Sequence, residues 1–446
     1  MPYAVALPFG GPMIQRLNAV DGCFLRYERE QSGFRPNIGM VLHAKGRAPE
    51  LSRVQEQIAC RIERMPTLAC TVARRGRRTV WEADPAFNPY DHVHEIRIPE
   101  DPTGLDEVVD RLLVAPFDEE SPRWGVWLIH GYSDCEYVLF YRAHHAAQDG
   151  QAMMDALTAL FGQEPPVSPP RAAAAVPGAG RLWWQRTTVQ AVAWMVTDAV
   201  KSLRPSLRWS TQSTLSGEAR VVSASVPESW LRETGRVLGA TSNDVCLAAL
   251  AEAVRGWMPE SWIAPQQRGR ELYANLPISV RTPEERFTVG NRLSAVRIPL
   301  SFWEESPITR VAAIARATRP VRTAGMRRVL RAQVSLPEWL VYRIFRSVAA
   351  KVEGSLATSG LMRLPGRLAM GADPIETVVT TAFLDKDLFE MVFLSYGDQV
   401  VASVTFDRAV DEVGNLVALW ADALERLHDA VAVSFDEPTR AGVPSP

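Results

Sequence analysis

The sequence predicts an α+β fold divided into two domains. The chain has 446 residues, more than a single hydrophobic core usually spans. A stretch rich in proline, alanine and glycine, residues 163–180, has no apolar period and is typical of a linker. On both sides of it, strand-like runs form hairpin pairs rather than a strict βαβ alternation. We therefore expect one domain over residues 1–162, a linker with a tryptophan-rich helical segment over 163–219, and a second domain over 220–446.

The first half contains both helix-like and strand-like segments. We predict a helix over residues 51–64 and a strand over residues 90–99. Two apolar runs, residues 124–132 and 136–143, are separated by a Ser-Asp-Cys turn, which predicts a β-hairpin. After Gly150 the apolar residues recur at helical spacing, so a helix follows the hairpin.

Residues 181–207 follow the linker and carry Trp183, Trp184 and Trp194 among scattered cations. One interpretation is a helix packed on the second domain. The other is an interfacial helix that binds a membrane or a lipid droplet, because tryptophan and basic residues share the segment. The sequence leaves both interpretations open.

The second half begins with a strand at residues 221–226 (VVSASV). Thr241 with Asp244 resembles a capping box and predicts the start of a helix. Two further strands are expected at residues 272–280 and 292–300. A two-residue Gly-Asp turn between two apolar runs predicts a second hairpin. The last predicted element is an amphipathic helix. That hairpin covers residues 389–396 and 399–406, and the closing helix covers residues 413–431.

Composition places the chain among soluble globular proteins, with 47% hydrophobic and 22% charged residues. A net charge of −2 argues against nucleic acid as the main partner. The first residues lack the basic and apolar regions of a signal peptide, and no run approaches the ~20 apolar residues of a spanning helix. The five cysteines are scattered without metal-ligand spacing. We expect a cytoplasmic protein with reduced thiols, no metal site and no bound cofactor.

One short stretch concentrates the chemistry: His144-His145-Ala-Ala-Gln-Asp149-Gly150. It holds two of the seven histidines, and histidine exchanges protons near neutral pH. Neighbouring residues at the end of a strand point to opposite faces, so one histidine can be structural while the other faces a cavity. The pattern therefore predicts a general-base site between a buried strand and a helix.

Each residue of this stretch also has a purely structural interpretation. Asp149 could only cap the following helix, Gly150 could only serve a turn, and His144 could be a buried core histidine. For any one residue alone the structural interpretation is favoured. Their occurrence together makes a coincidence much less likely.

Several segments resemble the bacterial wax ester synthase/diacylglycerol acyltransferase family. This family lies within the HHxxxDG acyltransferases, together with chloramphenicol acetyltransferase and the condensation domains of peptide synthetases. The resemblance is carried, besides the histidine motif, by residues 17–25 (LNAVDGCFL), 90–93 (YDHV), 122–131 (PRWGVWLIHG), 242–245 (SNDV), 276–281 (LPISVR), 290–294 (GNRLS) and 394–396 (LSY).

The resemblance implies two chloramphenicol-acetyltransferase-like domains, each a mixed sheet flanked by helices, with an active-site tunnel at their interface. It implies that His145 is the general base and that Asp149 pairs with an arginine, for which Arg281 and Arg292 are candidates. His144 is expected to be structural. Candidates for binding substrate or the oxyanion are Asn243, Ser294 and Gly150, although Asn243 could equally be a plain helix cap.

Two segments depart from the family pattern. Residues 358–366 lack the expected Asn-Val-Pro signature, and Glu390-Met391 stands where the family usually has Asn-Ile. In the family these segments help to line the site. Their change puts the standard acceptors, a long-chain alcohol or diacylglycerol, in question.

The main hypothesis is therefore an O-acyltransferase that moves an acyl group from acyl-CoA to a lipid hydroxyl, with peripheral contact to the inner membrane or a lipid droplet. The alternative is a tailoring acyltransferase of secondary metabolism that uses a CoA or carrier-protein thioester and a non-lipid hydroxyl or amine. A third is a non-catalytic relative that binds lipid or a carrier protein, against which the intact histidine motif argues.

Overall fold

The computed structural model describes residues 14–99, 103–163, 186–201, 207, 215–349, 355–385 and 387–436. Two large mixed sheets, flanked by helices, and one small three-stranded sheet make up the fold. The predicted α+β class is confirmed, as is the hairpin character of both halves.

The first sheet has six strands and carries the histidine motif at the end of a central strand. In spatial order its strands are β13 (Ala369–Met370), β14 (Asp373–Thr381), β2 (Asn37–Lys45), β7 (Glu136–His144), β6 (Trp124–His130) and β5 (Val93–Arg97). Strands β5 and β6 are parallel, and the other neighbours are antiparallel. The predicted hairpin is the β6–β7 pair.

The second sheet has seven strands and is also mixed. In spatial order its strands are β10 (Leu293–Pro299), β9 (Tyr273–Ser279), β11 (Ser355–Thr358), β15 (Phe389–Tyr396), β16 (Gln399–Asp407) and β8 (Ala219–Pro227), with β12 (Met362–Arg363) also paired to β15. The small sheet contains β1 (Ile14–Arg16), β4 (Arg78–Ala83) and β3 (Cys70–Arg75). The predicted Gly-Asp hairpin is the β15–β16 pair.

Helices cover the sheets and bury apolar faces against them. Their bounds are α1 (Ala19–Glu30), α2 (Leu51–Arg61), α3 (Thr103–Val114), α4 (Gly150–Phe161), α5 (Arg186–Lys201), α6 (Glu228–Leu238), α7 (Ser242–Trp257), α8 (Pro307–Thr318), α9 (Ala324–Val334), α10 (Glu338–Ala349) and α11 (Leu416–Asp436). Helices α7 and α11 pack on each other beside the second sheet, where Trp420 stacks on Phe393 with ring centroids 5.3 Å apart.

Two predicted elements are shorter than expected because prolines interrupt them. The helix predicted over residues 51–64 ends at Arg61 and continues as a 3-10 turn before Pro66. A proline disfavours the helical conformation in the residue before it. The strand predicted over residues 90–99 starts only at Val93, because a 3-10 turn that begins at Pro89 precedes it.

The sheets do not follow the predicted division of the chain at residues 163–219. Strands β13 and β14 belong to the second half of the sequence but lie in the first sheet, where β14 pairs with β2. The two strands approach closely at Gly39, where a side chain would overlap the Phe140 ring and the Thr381 hydroxyl. The division into domains itself stays a prediction.

The predicted linker, residues 163–180, lies outside the described residues except for Gln163, and so do Trp183 and Trp184. The tryptophan-rich helix is α5, which packs against α9. Arg328 of α9 donates to the Thr188 hydroxyl at 2.9 Å. Trp194 lies partly buried against the second core, the hydrophobic cluster between the second sheet and its helices, as distinct from the first core beside the first sheet. These contacts support the packed interpretation for this part of the helix. Contact with a membrane stays a prediction.

No single helix within the described residues is both long and apolar enough to cross a membrane. Helices α6 and α7, which meet at 101°, pass that test only as a pair, on length and composition. Most of α7 is buried in the second core.

Candidate active site

The histidine motif connects a buried strand to a helix through a short loop. Strand β7 is almost entirely buried and ends at His144, and α4 begins at Gly150. Asp149 is the N-cap of α4, and its Oδ1 atom accepts the backbone N–H of Ala152 at 2.8 Å. A Cβ atom at Gly150 would lie 2.9 Å from the Met362 sulfur, so a larger residue here would have to displace the Met362 side chain.

Asp149 also joins the two halves of the chain. Its Oδ2 atom accepts one bond from the Arg281 guanidinium at 2.9 Å and one from the backbone N–H of Arg292 at 2.8 Å. The side chains of Asp149 and Arg281 are 4% and 3% exposed. Arg281 is therefore the ion-pair partner, while the Arg292 side chain lies 3.4 Å from Glu285. The capping and ion-pairing interpretations of Asp149 are both correct.

Arg281 organises the segment that leads from itself to Arg292. Its guanidinium donates to the backbone carbonyls of Glu285, Thr288 and Gly290 at 2.7–3.0 Å. The backbone N–H of Gly290 in turn donates to the Ala147 carbonyl at 2.7 Å. The segment is therefore bound directly to the histidine loop.

This segment brings Asn291 to the second histidine. Asn291 Oδ1 lies 3.0 Å from His145 Nδ1, and its Nδ2 donates to the His145 carbonyl at 2.7 Å. The backbone and side-chain N–H groups of Asn291 both donate to Asp21 Oδ1, at 2.7 and 2.9 Å. Both residues are fully buried. Sequence reasoning missed both, although each lies in a family-like segment, residues 17–25 or 290–294.

The ring of His145 lies between two aromatic side chains and remains partly exposed. It stacks on Phe24 with centroids 4.5 Å apart, and Phe383 meets it edge-on at 5.6 Å. Burial lowers the pKa of His145, although a bond to its own carbonyl, the charge of Asp149 and Asn291 oppose this shift. The imidazole is therefore neutral near pH 7 and can accept a proton.

His144 points to the opposite face of the strand. Its Nε2 atom lies 3.0 Å from Glu28 Oε2, and its Nδ1 accepts the backbone N–H of Ala146 at 3.0 Å. Only 1% of the residue is exposed. Burial lowers the pKa of His144, and the Glu28 carboxylate opposes this. Both ring nitrogens have protein partners, as expected for a structural histidine.

The oxyanion candidates make other contacts. Asn243 is not the helix cap, because Thr241 and Asp244 form the capping box of α7 as predicted. Asn243 Oδ1 instead accepts the Leu361 backbone N–H at 2.8 Å. The Ser294 hydroxyl donates to Gln333 at 2.9 Å. Roles for Asn243, Ser294 and Gly150 in binding substrate or the oxyanion stay predictions.

One of the two segments that depart from the family pattern contacts the histidine loop, and the other lies in β15. Met362, in the altered residues 358–366, lies against Gly150. In β15, Phe393 packs into the second core while Leu394 packs into the first. Alternation along the strand therefore directs Glu390 toward the first sheet. Burial, together with the charge of Asp387, raises the pKa of Glu390 to about 8.

Two cavities lie where the halves of the chain meet. The larger, here called the basic cavity, has a volume of about 1040 Å³, and its described lining includes eight arginines and four glutamates. Five of these arginines are exposed and have no carboxylate within 4 Å among the described residues: Arg16, Arg29, Arg74, Arg77 and Arg78. Glu28, the partner of His144, also lines it.

The second, here called the small cavity, has a volume of about 250 Å³. Its wall includes Phe383, which contacts His145, and the carboxyl groups of Asp385 and Asp387. His145 itself lines neither of these two cavities. The predicted continuous tunnel therefore stays a prediction.

All five cysteines are free thiols; Cys23, Cys70 and Cys246 are buried, and Cys60 and Cys135 are exposed. Among the residues that the structure describes, no group of three or more histidine, cysteine or acidic side chains could hold a metal ion.

Comparison with known sequences gives one family match and several relatives. The model for the wax ester synthase/diacylglycerol acyltransferase catalytic domain matches residues 17–234. The chain is 23% identical over 467 aligned positions to the "Probable diacyglycerol O-acyltransferase tgs1" of Mycobacterium tuberculosis, which covers 94% of this chain and 96% of the relative. Another M. tuberculosis protein with a similar name is 26% identical, but the match spans only 55% of that relative and 52% of this chain.

Comparison with solved structures gives the same architecture. The wax ester synthase/diacylglycerol acyltransferase from Marinobacter aquaeolei VT8 superposes with a TM-score of 0.66 at 18% identity, over 94% of this chain and all of that one. The first condensation domain of the calcium-dependent antibiotic synthetase also gives a TM-score of 0.66, at 14% identity, over 94% and 97% of the two chains. These likenesses confirm the predicted two-sheet, condensation-domain-like fold.

Replacing Asp149 should destabilise the protein and lower its activity. Asp149→Ala leaves the buried Arg281 guanidinium without its counter-ion, which costs about 3–5 kcal/mol of unfolding free energy. Urea denaturation followed by tryptophan fluorescence measures this loss. The matched control is Glu260→Ala, which breaks the exposed pair with Arg268 and should leave the unfolding curve unchanged. Equal stability of Asp149→Ala and wild type would contradict the anchoring role.

Proposed function

We propose that this chain, which belongs to the wax ester synthase/diacylglycerol acyltransferase family, is an acyltransferase with His145 as its general base. The observation that carries the proposal is the state of His145: neutral, partly exposed, and held in place by Asn291 on one ring nitrogen. A side chain in that state can take a proton from an acceptor hydroxyl.

In the proposed reaction, His145 removes the proton as the acceptor oxygen attacks the thioester carbon. A C–O bond forms, the C–S bond breaks, and the thiolate leaves. The protonated His145 then returns its proton to the thiolate, so the enzyme ends in its starting state. General-base help of this kind contributes about 10²–10⁴ in rate. Asp149 and Arg281 hold the loop and do not touch substrate.

The basic cavity supports a donor with several phosphate groups, as acyl-CoA has. Guanidinium groups bind phosphate oxygens in paired hydrogen bonds, and five exposed arginines here lack carboxylate partners among the described residues. Glu28 links the cavity wall to His144, the neighbour of the base. A phosphopantetheine thioester on a carrier protein carries fewer phosphates, so we propose CoA as the donor, used as a co-substrate with no bound cofactor.

For the acceptor, the family favours a lipid hydroxyl, a fatty alcohol or diacylglycerol. In this proposal the protein acts in the cytoplasm with peripheral contact to the inner membrane or a lipid droplet. The exposed Val189 and Val192 of α5 are consistent with such contact.

A second candidate is a polar acceptor, and Glu390 favours it. This carboxyl group replaces a family asparagine and faces the first sheet, and its raised pKa keeps it neutral at pH 7. A partly buried carboxylic acid disfavours an alkyl chain and can hydrogen-bond a hydroxyl or amine. This acceptor class corresponds to a tailoring acyltransferase with a non-lipid substrate.

Replacing His145 should abolish turnover. His145→Ala removes the base, so kcat with palmitoyl-CoA and a hydroxyl acceptor should fall by at least about 10²-fold while thioester binding and stability remain. Release of free thiol measures the rate. The control is His130→Ala, which removes a partly exposed histidine paired with Glu95 at the far end of β6 and should keep full activity. Retention of more than about a tenth of the activity by His145→Ala would exclude this residue as the base.

Removing arginines from the basic cavity should weaken donor binding. In the double variant Arg74→Gln/Arg78→Gln, the KM for acyl-CoA should rise about 3- to 30-fold, because charged phosphate contacts are lost. The KM for a phosphate-free acyl-N-acetylcysteamine thioester should not change. Arg75→Gln is the matched control, since Arg75 lies on the same hairpin but pairs with Glu82 outside this cavity. A similar KM rise for both thioesters would contradict phosphate binding.

Replacing Glu390 should change acceptor preference if the acceptor is polar. Glu390→Leu should raise kcat/KM for hexadecan-1-ol relative to a diol or amino alcohol by about 5- to 100-fold, because an unpaired polar group no longer faces the alkyl chain. Glu390→Gln keeps hydrogen bonding and should leave the wild-type preference intact. A wild-type preference for hexadecan-1-ol that neither variant alters would rule out the polar-acceptor candidate.

A further inference from the structure

We propose that Asp21 and Asn291 are positioning residues that hold His145 in the tautomer with its proton on Nδ1. This tautomer leaves the Nε2 lone pair to accept the proton in the reaction. The inference rests on the proposed function, in which His145 is the base. It assigns a role to two fully buried residues that act through His145.

The surroundings of Asn291 determine which way its amide faces. One end lies 2.7 Å from the His145 carbonyl and 2.9 Å from Asp21 Oδ1. Both of these atoms can only accept hydrogen bonds, so this end must be the NH₂ group. The oxygen of the amide therefore faces His145 Nδ1, at 3.0 Å.

An amide oxygen facing a ring nitrogen requires that nitrogen to donate. His145 Nδ1 therefore carries the proton, and in the neutral ring Nε2 is then the acceptor. No described residue hydrogen-bonds Nε2. His144 has the reverse arrangement, since its Nδ1 accepts a backbone N–H and its Nε2 must donate to Glu28. Two adjacent histidines are thus held in opposite tautomers by their partners.

Asp21 fixes the orientation of the Asn291 amide. It lies in the first turn of α1, is fully buried, and is surrounded by donors. Its Oδ1 accepts two N–H groups of Asn291, and its Oδ2 accepts the Trp81 indole N–H at 3.0 Å. A carboxylate satisfies donors on both oxygens, whereas an amide would turn an NH₂ group toward one of them.

The same contacts explain why residue 290 is glycine. Gly290 has a φ of +83°, and a Cβ atom there would overlap the Asp21 carboxylate. The left-handed backbone and the missing side chain let Asp21 approach the Asn291 backbone. The chain from Asp21 through Asn291 to His145 therefore depends on the geometry of this one turn.

The tautomer can be measured without turnover. In protein labelled with ¹⁵N-histidine, long-range ¹H–¹⁵N spectra distinguish an Nδ1–H ring from an Nε2–H ring, and His145→Gln identifies the His145 signals. We expect Nδ1–H in the wild type and a mixture or Nε2–H in Asn291→Ala and Asp21→Asn. A wild-type Nε2–H ring, or an unchanged ring in both variants, would overturn the proposal.

The matched control is Asn37→Ala. Asn37 is another buried asparagine, and its amide donates to the carbonyls of Leu113 and Ala115 at 2.8 and 2.9 Å. Its loss should reduce stability without changing the His145 tautomer. A tautomer change in Asn37→Ala as large as in Asn291→Ala would mean that any loss of packing has this effect, and would also overturn the proposal.

Kinetics give a second readout. Asn291→Ala and Asp21→Asn should lower kcat about 10- to 100-fold and change the KM for acyl-CoA less than about 3-fold, since both side chains are fully buried. The charged and titratable groups acting on His145 are Asp149 and His144. Because Asn291 stabilises the protonated ring, its loss should move the acidic limb of the kcat/KM profile to lower pH.

The two tests separate this inference from the proposed function. If the wild type shows the Nδ1–H ring and the variants lose it, but no protein turns over acyl-CoA, the positioning stands and the proposed acyl transfer fails. If acyl transfer occurs and requires His145, but the variants keep wild-type kcat and the Nδ1–H ring, the positioning role fails alone.

Discussion

The candidate active site depends on one buried carboxylate that is bonded both to its own helix and to a segment of the second half of the chain. Asp149 accepts from the first turn of its own helix, from the Arg281 side chain and from the Arg292 backbone. An anion removed from water must have such partners, because an unpaired buried charge is very costly. The arginine that neutralises Asp149 also shapes the segment that carries Asn291 to His145. The position of His145 therefore depends on contacts with the other half of the chain.

The two cavities differ in charge. The basic cavity lies on the side of α1, where Glu28 connects its wall to His144. Two further carboxyl groups lie outside this cavity, Asp387 in the small cavity and Glu390 in β15, and burial raises the pKa of both. In the proposed reaction, the basic cavity would receive the phosphate groups of the donor, and the neutral carboxyl group of Glu390 would contact the acceptor. This arrangement separates the residues that would act on the donor from those that would act on the acceptor.

The sequence predicts the strands, turns and helix ends that are marked by a pattern of neighbouring residues. The hairpin around residues 133–135 follows from apolar runs beside turn residues, and the α7 cap follows from Thr241 and Asp244. Contacts between distant segments are harder to predict. Arg281 and Arg292 flank the same turn, and the structure uses the side chain of one and the backbone of the other. Asn291 is uncharged and belongs to no periodic pattern. Its place in a family-like segment is therefore the only signal for it in the sequence.

Strand β14 has a consequence for how the protein is made. It pairs with β2 across more than three hundred residues of sequence. In the first sheet, β2 lies between β14 and β7, the strand that ends at His144. During synthesis, the edge of β2 that pairs with β14 stays unpaired until nearly the whole chain has left the ribosome. Exposed strand edges invite pairing with other chains, and long-range strand pairing is slow to form. The first half therefore carries this unpaired edge until β14 has been made, and the loop of the histidine motif gains its contacts with Arg281 and Asn291 only after much of the second half has been synthesised.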